Sequence, residues 1–378
     1  MVAVPDQRKQ ALQRWACETL EEVWGVAMND ANLQAVSGDA SFRRYFRLQI
    51  PAQVLQKAQL AGLSASYILV DAAPEHEDCQ RFVLVADVLR RAGVYAPIVH
   101  EVDYLAGFML LQDFGNALYL PALLQAQREQ DPARADTLYG QAIATLLQLQ
   151  EHTDGSQFAP YDRKLLHTEL MLFEHWYCRQ LLGVELSAAE QTLLDRTFAW
   201  LEAAALSQPV VCVHRDYHSR NLMIRDADEA SAPGVIDFQD AVHGPYTYDL
   251  VSLLRDCYIV WPQQQLSAWQ MSYLHEARRR GILAASVSDK QFLRDFDLMG
   301  LQRHIKVIGI FCRLYLRDGK PGYLQDIPRV IDYVFAVAAS YPELQEFVQW
   351  LRALQPLSNE RLHQVQDQLH RASPEQRA

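Results

Sequence analysis

The sequence predicts an α+β fold, with a small antiparallel sheet near the N-terminus and a larger, mostly helical remainder. Three observations carry this. Strand-like runs crowd before residue 113, as Phe42 to Leu48, Tyr67 to Val70, Pro97 to His100 and Gly107 to Gln112. Beyond that point apolar residues recur at helical spacing, as in Leu138, Ala142, Thr145, Leu146 and Leu149. The one break in the helical pattern is a strand, loop and hairpin unit over residues 210–238.

Composition allows a large core. The chain has 378 residues, half of them hydrophobic, with 16 Gly and 16 Pro, which predicts two lobes. A formal net charge of -11 argues against a nucleic-acid surface, and the acids are scattered, so a cationic substrate is permitted without being indicated. Six cysteines lie far apart with no C-x-x-C pair, and Cys178, Cys212, Cys257 and Cys312 sit in apolar stretches, as buried free thiols do. The first 20 residues lack a signal-peptide pattern, and the apolar run from Ile305 to Leu316 is broken by Lys306 and Arg313. A cytoplasmic protein without membrane or nucleic-acid partners is the expectation.

In chain order, Leu12, Trp15, Ala16, Leu20 and Val23 mark an amphipathic first helix. Gly38, Asp39, Ala40 and Ser41 then form a small, flexible turn before an aromatic and arginine-rich strand. The Ala/Gln/Leu-rich insert 51–65 precedes a strand over Tyr67 to Val70, and Phe82, Val85, Ala86 and Leu89 form the inward stripe of a helix over about 79–91, closed by Gly93. Two more strands complete the sheet. Later, Ser187 with Glu190 is a capping box opening a helix with Leu194, Phe198 and Leu201 inward, and Ser288 with Gln291 opens a long helix reaching about Arg317. Within it, residues 300–306 are unusually polar. Either they form a solvated face, or Gln302, Arg303 or His304 meets a substrate.

The chemistry concentrates in residues 210–238. The apolar strand Val210 to Val213 runs into His214, Arg215 and Asp216, and Asn221 follows in the spacing H-R-D-x-x-x-x-N. Residues 221–224 and 234–238 read as the arms of a hairpin around a polar turn. Antiparallel pairing brings Asn221 and Asp237 to the same end, where they can share one cation. Phosphoryl transfer needs Mg²⁺ on hard oxygen ligands, with a nearby carboxylate to orient the attacking hydroxyl. Asp216, Asn221 and Asp237 supply such oxygens.

H-R-D-x4-N followed by I-D-F resembles the catalytic and metal loops of the protein-kinase-like fold, in its aminoglycoside phosphotransferase branch. The resemblance implies a bilobal fold with an N-lobe over 1–112, a hinge over 113–116 and a helical C-lobe over 117–378, closing a nucleotide cleft. It implies ATP and Mg²⁺ as cofactors, Asp216 as the catalytic carboxylate, and Asn221 and Asp237 as metal ligands. His214, Arg215 and Asp249 become supporting residues, although Asp249 also reads as an ordinary helix-start aspartate. Gly38, Asp39, Ala40 and Ser41 would cover the phosphates, and Gln112 and Phe114 would belong to the adenine-reading hinge. Two departures stand out: the third strand lacks the lysine that usually reaches the phosphates, with Val70 or Asp71 in its place, and the following helix lacks the partner glutamate, Asp87 being its main carboxylate.

Loss of both partners leaves no orphan charge and implies that the phosphate contact has moved. Arg43 or Arg44 is the nearest cation, with Arg43 favoured because it shares a strand face with Tyr45; that both are solvated bystanders is the competing reading. GDASFRRYFRL, YILVDA, HRDYHSRNLM and QRHIKVIGIFCRLYLRDGK together look most like the bacterial anomeric sugar kinases acting on N-acetylmuramic acid and N-acetylglucosamine in cell-wall recycling. Arg303 and His304 would then be substrate residues. A kinase of another small alcohol, such as an aminoglycoside, choline or homoserine, is the first alternative, and a catalytically idle nucleotide-binding module the second.

Overall fold

Gly25 in a left-handed conformation, five antiparallel strands and a run of long helices give this chain its outline. A computed structural model describes residues 6–28, 32–36, 42–58, 63–225 and 227–355. The chain divides into two compact units, the first holding Met1–Ala122 and Arg220–Asp240, the second Leu123–Ser219 and Ala241–Ala378.

The first unit is built on an antiparallel sheet in the order β1-β2-β3-β5-β4, with β1 Leu33–Val36, β2 Arg44–Gln49, β3 Ser66–Asp71, β4 Val99–Asp103 and β5 Phe108–Gln112. Helix α1, Gln7–Trp24, is opened by the Asp6 side chain and closed by Gly25. It buries Leu12, Ala16 and Leu20 in one cluster with Leu48, Tyr67, Leu69, Phe108 and Leu110 of the sheet. Val23, expected on that stripe, is exposed. The short α2, Ala52–Ala58, occupies the insert between β2 and β3, and α3, Cys79–Arg91, buries Phe82, Val85, Ala86 and Leu89 as its periodicity predicts. The fourth strand starts at Val99, beyond Pro97, because proline has no N–H to give a ladder.

The hairpin of residues 221–237 belongs to this first unit. Its arms, β7 Leu222–Met223 and β8 Gly234–Val235, pair antiparallel with Leu222 opposite Val235. The Ile224 N–H donates to Ala117 O at 2.7 Å and the Val235 N–H to Tyr95 O at 2.8 Å. Residues 220–240, which the sequence pattern groups with the helical portion, therefore make their contacts with the sheet unit.

In the second unit β6 Val210–Val213 pairs antiparallel with β9 Val242–Pro245. Gly244 and Pro245 lie in that edge strand, where proline at its end costs no ladder bond. The helices are α4 Tyr119–Glu129, at whose Ala122 to Leu123 step the units meet in sequence, α5 Pro132–His152, α6 Arg163–Leu172, α7 Ala188–Leu206, α8 Tyr248–Leu254, α9 Gln263–Arg279, α10 Asp289–Leu316, α11 Ile327–Ala338 and α12 Gln345–Ala353. Helix α6 continues into a π-helical stretch, Phe173–Leu181. The capping boxes at Ser187 and the cap at Ser288 form as expected. Five of the six cysteines are buried and all are free. No helix among the described residues is long and apolar enough to cross a membrane.

Helix α10 is the axis of this unit. Gly300, Leu301, Gln302, Arg303, His304, Ile305 and Lys306 are all buried, so the polar run is not a solvated face. Further along, Gly309 lies so close to Leu172 that a methyl group there would strike the Leu172 carbonyl. Gly309→Ala is expected to destabilise the protein by about 1 to 3 kcal/mol, overpacking outweighing the better helix propensity of alanine. Urea unfolding of the purified variant measures this, and an unchanged or raised midpoint contradicts the tight crossing.

Candidate active site

In the first unit the hairpin sets the geometry of two candidate metal ligands. With Leu222 opposite Val235 and the Ile236 N–H donating to Asn221 O at 3.1 Å, Asn221 and Asp237 come to one end. Asn221 Nδ2 lies 3.5 Å from Asp237 Oδ2, and Gln239 Nε2 donates to Asp237 Oδ1 at 2.9 Å. Asp237 has φ 63°, a left-handed value that non-glycine residues rarely adopt. Phe238 beside it is buried against Phe82 of α3, with ring centroids 4.9 Å apart. Oxygen donors on a rigid hairpin fit a magnesium ion, which binds through one or two carboxylates and completes its shell with water and phosphate. The described residues hold no group of three or more His, Cys, Asp or Glu suited to a metal, so the hairpin pair would depend on such a shell.

A cavity of about 470 Å³ lies beside this pair, walled by Tyr45, Ile68, Leu111, Met223 and Ile236 among others and reaching Asn221 and Asp237. Gln112 and Phe114 line it. Its apolar walls with a few polar groups at one end suit a purine nucleotide. Arg47, on the same strand face as Tyr45, also lines it and ties down the hinge: Nε donates to Asp113 Oδ2 at 2.6 Å and Nη2 to Gly115 O at 2.9 Å. Burial would raise the Asp113 pKa, but Arg47 and Ser66 more than offset it and hold the carboxyl below its usual range. Gly38, Asp39, Ala40 and Ser41 lie outside the described residues.

The two adjacent arginines differ. Arg44 is engaged in ion pairs with Asp6 and Asp71, and Asp71 also accepts from Arg8 Nε at 2.8 Å. The strand that lacks its lysine thus carries an aspartate already paired with two arginines. Arg43 is buried, with Nη1 3.6 Å from Glu77 Oε2 and Nη2 3.8 Å from Asp237 Oδ1.

In the second unit the loop carrying Asp216 is fixed at several points. Asp249, fully buried at the start of α8, accepts from the His214 N–H at 2.7 Å and the Arg215 N–H at 3.0 Å. Burial pushes the Asp249 carboxyl up to about 7 against the pull of those two donors. Arg215 has φ 78°, and the Asp216 N–H donates to His214 Nδ1 at 3.2 Å. Tyr217 donates to Ala142 O at 2.8 Å, and the buried Asp256 accepts from the Ser219 N–H at 3.0 Å.

Behind the loop lies a charge cluster that spacing did not reveal. The buried carboxylate of Glu169 pairs with Arg215 at 2.5 Å and Lys306 at 2.8 Å and accepts from Tyr161; Lys306 also donates to Tyr248 OH at 2.9 Å. Burial alone would raise the pKa of Asp216, but Lys306, His218, Arg215 and Arg303 outweigh it and keep the carboxyl below its usual range. Arg303 is buried with Nη1 3.5 Å from Cys257 Sγ. His304 is enclosed: its ring stacks on Tyr333 at 4.9 Å, Nε2 meets Arg255 O at 2.9 Å, and burial pushes its pKa down to about 3.

Residues 32–283 match the family described as "Phosphotransferase enzyme family". The chain belongs to that family. It is 41% identical over 355 residues to the N-acetylmuramate/N-acetylglucosamine kinase of Pseudomonas aeruginosa, covering 92% of this chain and 97% of that protein. It is 39% identical to the protein of the same name from Pseudomonas putida, covering 93% and 97%. A solved choline/ethanolamine kinase family protein from Mesorhizobium loti shares the fold with a TM-score of 0.55 at 14% identity, over 90% of this chain and 99% of that one. The bilobal protein-kinase-like class read from the sequence is thus the fold of this phosphotransferase.

In this phosphotransferase Glu169 neutralises the buried Lys306 and the partly buried Arg215 at once. Glu169→Ala is expected to cost about 3 to 5 kcal/mol of stability, and pairing it with Lys306→Met to recover part of that loss. Denaturant unfolding of both variants measures it; a single variant within 1 kcal/mol of wild type, on the order of a surface ion pair, contradicts the cluster's role.

Proposed function

We propose that this phosphotransferase transfers the γ-phosphoryl group of ATP to the anomeric hydroxyl of N-acetylmuramic acid or N-acetylglucosamine, giving the sugar 1-phosphate and ADP. The observation that carries the substrate is similarity over nearly the whole chain, 41% and 39%, to two relatives named as kinases of these sugars. The chemistry needed for transfer is supported by Asp216, Asn221 and Asp237, which sit on the fixed loop and the hairpin.

Asp216 accepts a hydrogen bond from the acceptor hydroxyl and takes its proton as the new oxygen–phosphorus bond forms and the bond to ADP breaks. Its lowered pKa keeps it ionised at neutral pH, ready to accept. Asn221 and Asp237 would hold Mg²⁺, which when bound neutralises phosphate charge. Gln112, Phe114 and Tyr45 line the purine side of the cavity. An anomeric hydroxyl ionises more readily than an ordinary alcohol, so a weakly basic carboxylate suffices as its partner. The enzyme works on a small molecule, and its place is the cytoplasm, where ATP is supplied.

ATP consumption measured with N-acetylmuramic acid, N-acetylglucosamine, kanamycin and choline tests the acceptor; preference for the two amino sugars is expected, and turnover only with kanamycin or choline contradicts the proposal. Asp216→Asn should lower kcat by about 10² to 10⁴-fold while Mg·ATP still binds. Near wild-type turnover excludes Asp216 as the proton acceptor. Asp237→Ala should abolish the rise in melting temperature that Mg·ATP gives wild type, and an undiminished rise removes Asp237 from the metal site.

A further inference from the structure

A triphosphate needs cationic partners besides its metal ion. The third strand supplies none, because Val70 is buried and Asp71 is paired with Arg8 and Arg44. The carboxylate of α3 that might brace a lysine, Asp87, instead pairs with Arg91 at 2.7 Å on the exposed side of its helix. Arg44 is turned toward Asp6 and Asp71. Arg47 is spent on the hinge.

Arg43 is placed differently. Its guanidinium stands 3.6 Å from Glu77 and 3.8 Å from Asp237, at ion-pair separations longer than a hydrogen bond, with both arginine and glutamate largely withdrawn from solvent. Two local structures hold the partners together. The His76 and Glu77 N–H groups both donate to Ala73 O, at 2.9 and 3.0 Å, which winds the segment before α3 into a turn carrying Glu77. The exposed ring of Phe42 stacks on His76 at 4.6 Å and 24°, clamping the residue before Arg43 onto the residue before Glu77.

We propose that Glu77 is a positioning residue that aims Arg43 at the terminal phosphates of the nucleotide, so that an arginine entering the second strand and a glutamate preceding α3 replace the absent third-strand lysine and its helix partner. The inference rests on the ATP reading above. Its chemistry is that of a cation shared by two carboxylates. Asp237 is the candidate metal ligand, so a guanidinium 3.8 Å from it stands where the charge of a metal-bound phosphate collects, and planar N–H donors suit phosphate oxygens. Glu77 keeps the long, flexible side chain on that side and limits its pairing with Asp237, which would otherwise compete with the metal. Its neighbours Arg44 and Arg47 are held in ion pairs with other carboxylates.

The test is equilibrium titration of the full chain with Mg·ATP and, separately, with AMP, which lacks the terminal phosphates. Arg43→Ala should weaken Mg·ATP by about tenfold or more, Arg43→Lys by less, and neither should move AMP. Glu77→Gln should weaken Mg·ATP by at least about threefold, and in the Arg43→Ala background it should add nothing beyond about twofold, as expected of residues acting through one another. The proposal is overturned if Glu77→Gln leaves Mg·ATP binding within twofold of wild type, if its effect survives in the Arg43→Ala background, or if AMP weakens as much as ATP. Wild-type protein that binds neither nucleotide contradicts the ATP reading and the pair with it, whereas normal wild-type binding with unaltered variants contradicts the pair alone.

Discussion

Two antiparallel residue pairs, Leu222 with Val235 and Met223 with Gly234, decide where Asn221 and Asp237, the candidate oxygen ligands of the first unit, stand. A slip of one residue would send Asn221 and Asp237 to different faces. Much of the neighbouring structure protects that register. Gly234 is so close to Phe114 that any side chain would strike the ring, so hairpin and hinge are seated on one another. Phe238 is fixed against Phe82, and Gln239 holds one oxygen of Asp237. Of the five described non-glycine residues with positive φ, Arg215 and Asp237 flank the two chemical loops. Backbone strain of about 1 to 3 kcal/mol apiece persists where surrounding contacts over-determine it, which is the condition met at both positions.

The second unit handles charge by enclosure. Buried ions are costly unless paired, and here one carboxylate, Glu169, answers both Arg215 and Lys306, while Tyr161 donates to Glu169 and Tyr248 accepts from Lys306. The surplus of positive charge falls on Asp216 and holds it ionised. Asp249, buried and pushed toward neutrality, serves as an anchor for the loop backbone. Two aspartates on neighbouring elements are thereby set apart by their surroundings: Asp216 is kept charged, and Asp249 is kept dry and holds amides.

Local patterns were legible in the sequence because local chemistry sets them. The stripe of α3, the capping box at Ser187 and the H-R-D-x4-N spacing all depend on neighbours a few residues away. What escaped depends on distant partners. Polarity over residues 300–306 suggested water, but the partners are Glu169, Tyr248, Cys257 and Tyr333, far off in the chain. Arg43 could be preferred over Arg44 by strand alternation, yet Glu77 could not be found, since its proximity rests on Phe42 stacking across to His76. The hairpin's membership of the sheet unit likewise follows from backbone bonds to Ala117 and Tyr95, which no spacing encodes.

In the proposed reaction phosphate goes to the anomeric oxygen of an amino sugar. The direct measurement is ³¹P NMR of reactions containing Mg·ATP with free N-acetylglucosamine, with N-acetylmuramic acid, and with the methyl glycoside of N-acetylglucosamine, whose anomeric oxygen is blocked. The account predicts a sugar phosphate resonance coupled to the anomeric proton for at least one free sugar and no product from the methyl glycoside. Phosphorylation of the methyl glycoside, or a product from the free sugars whose phosphorus couples to another ring or side-chain proton, would contradict it.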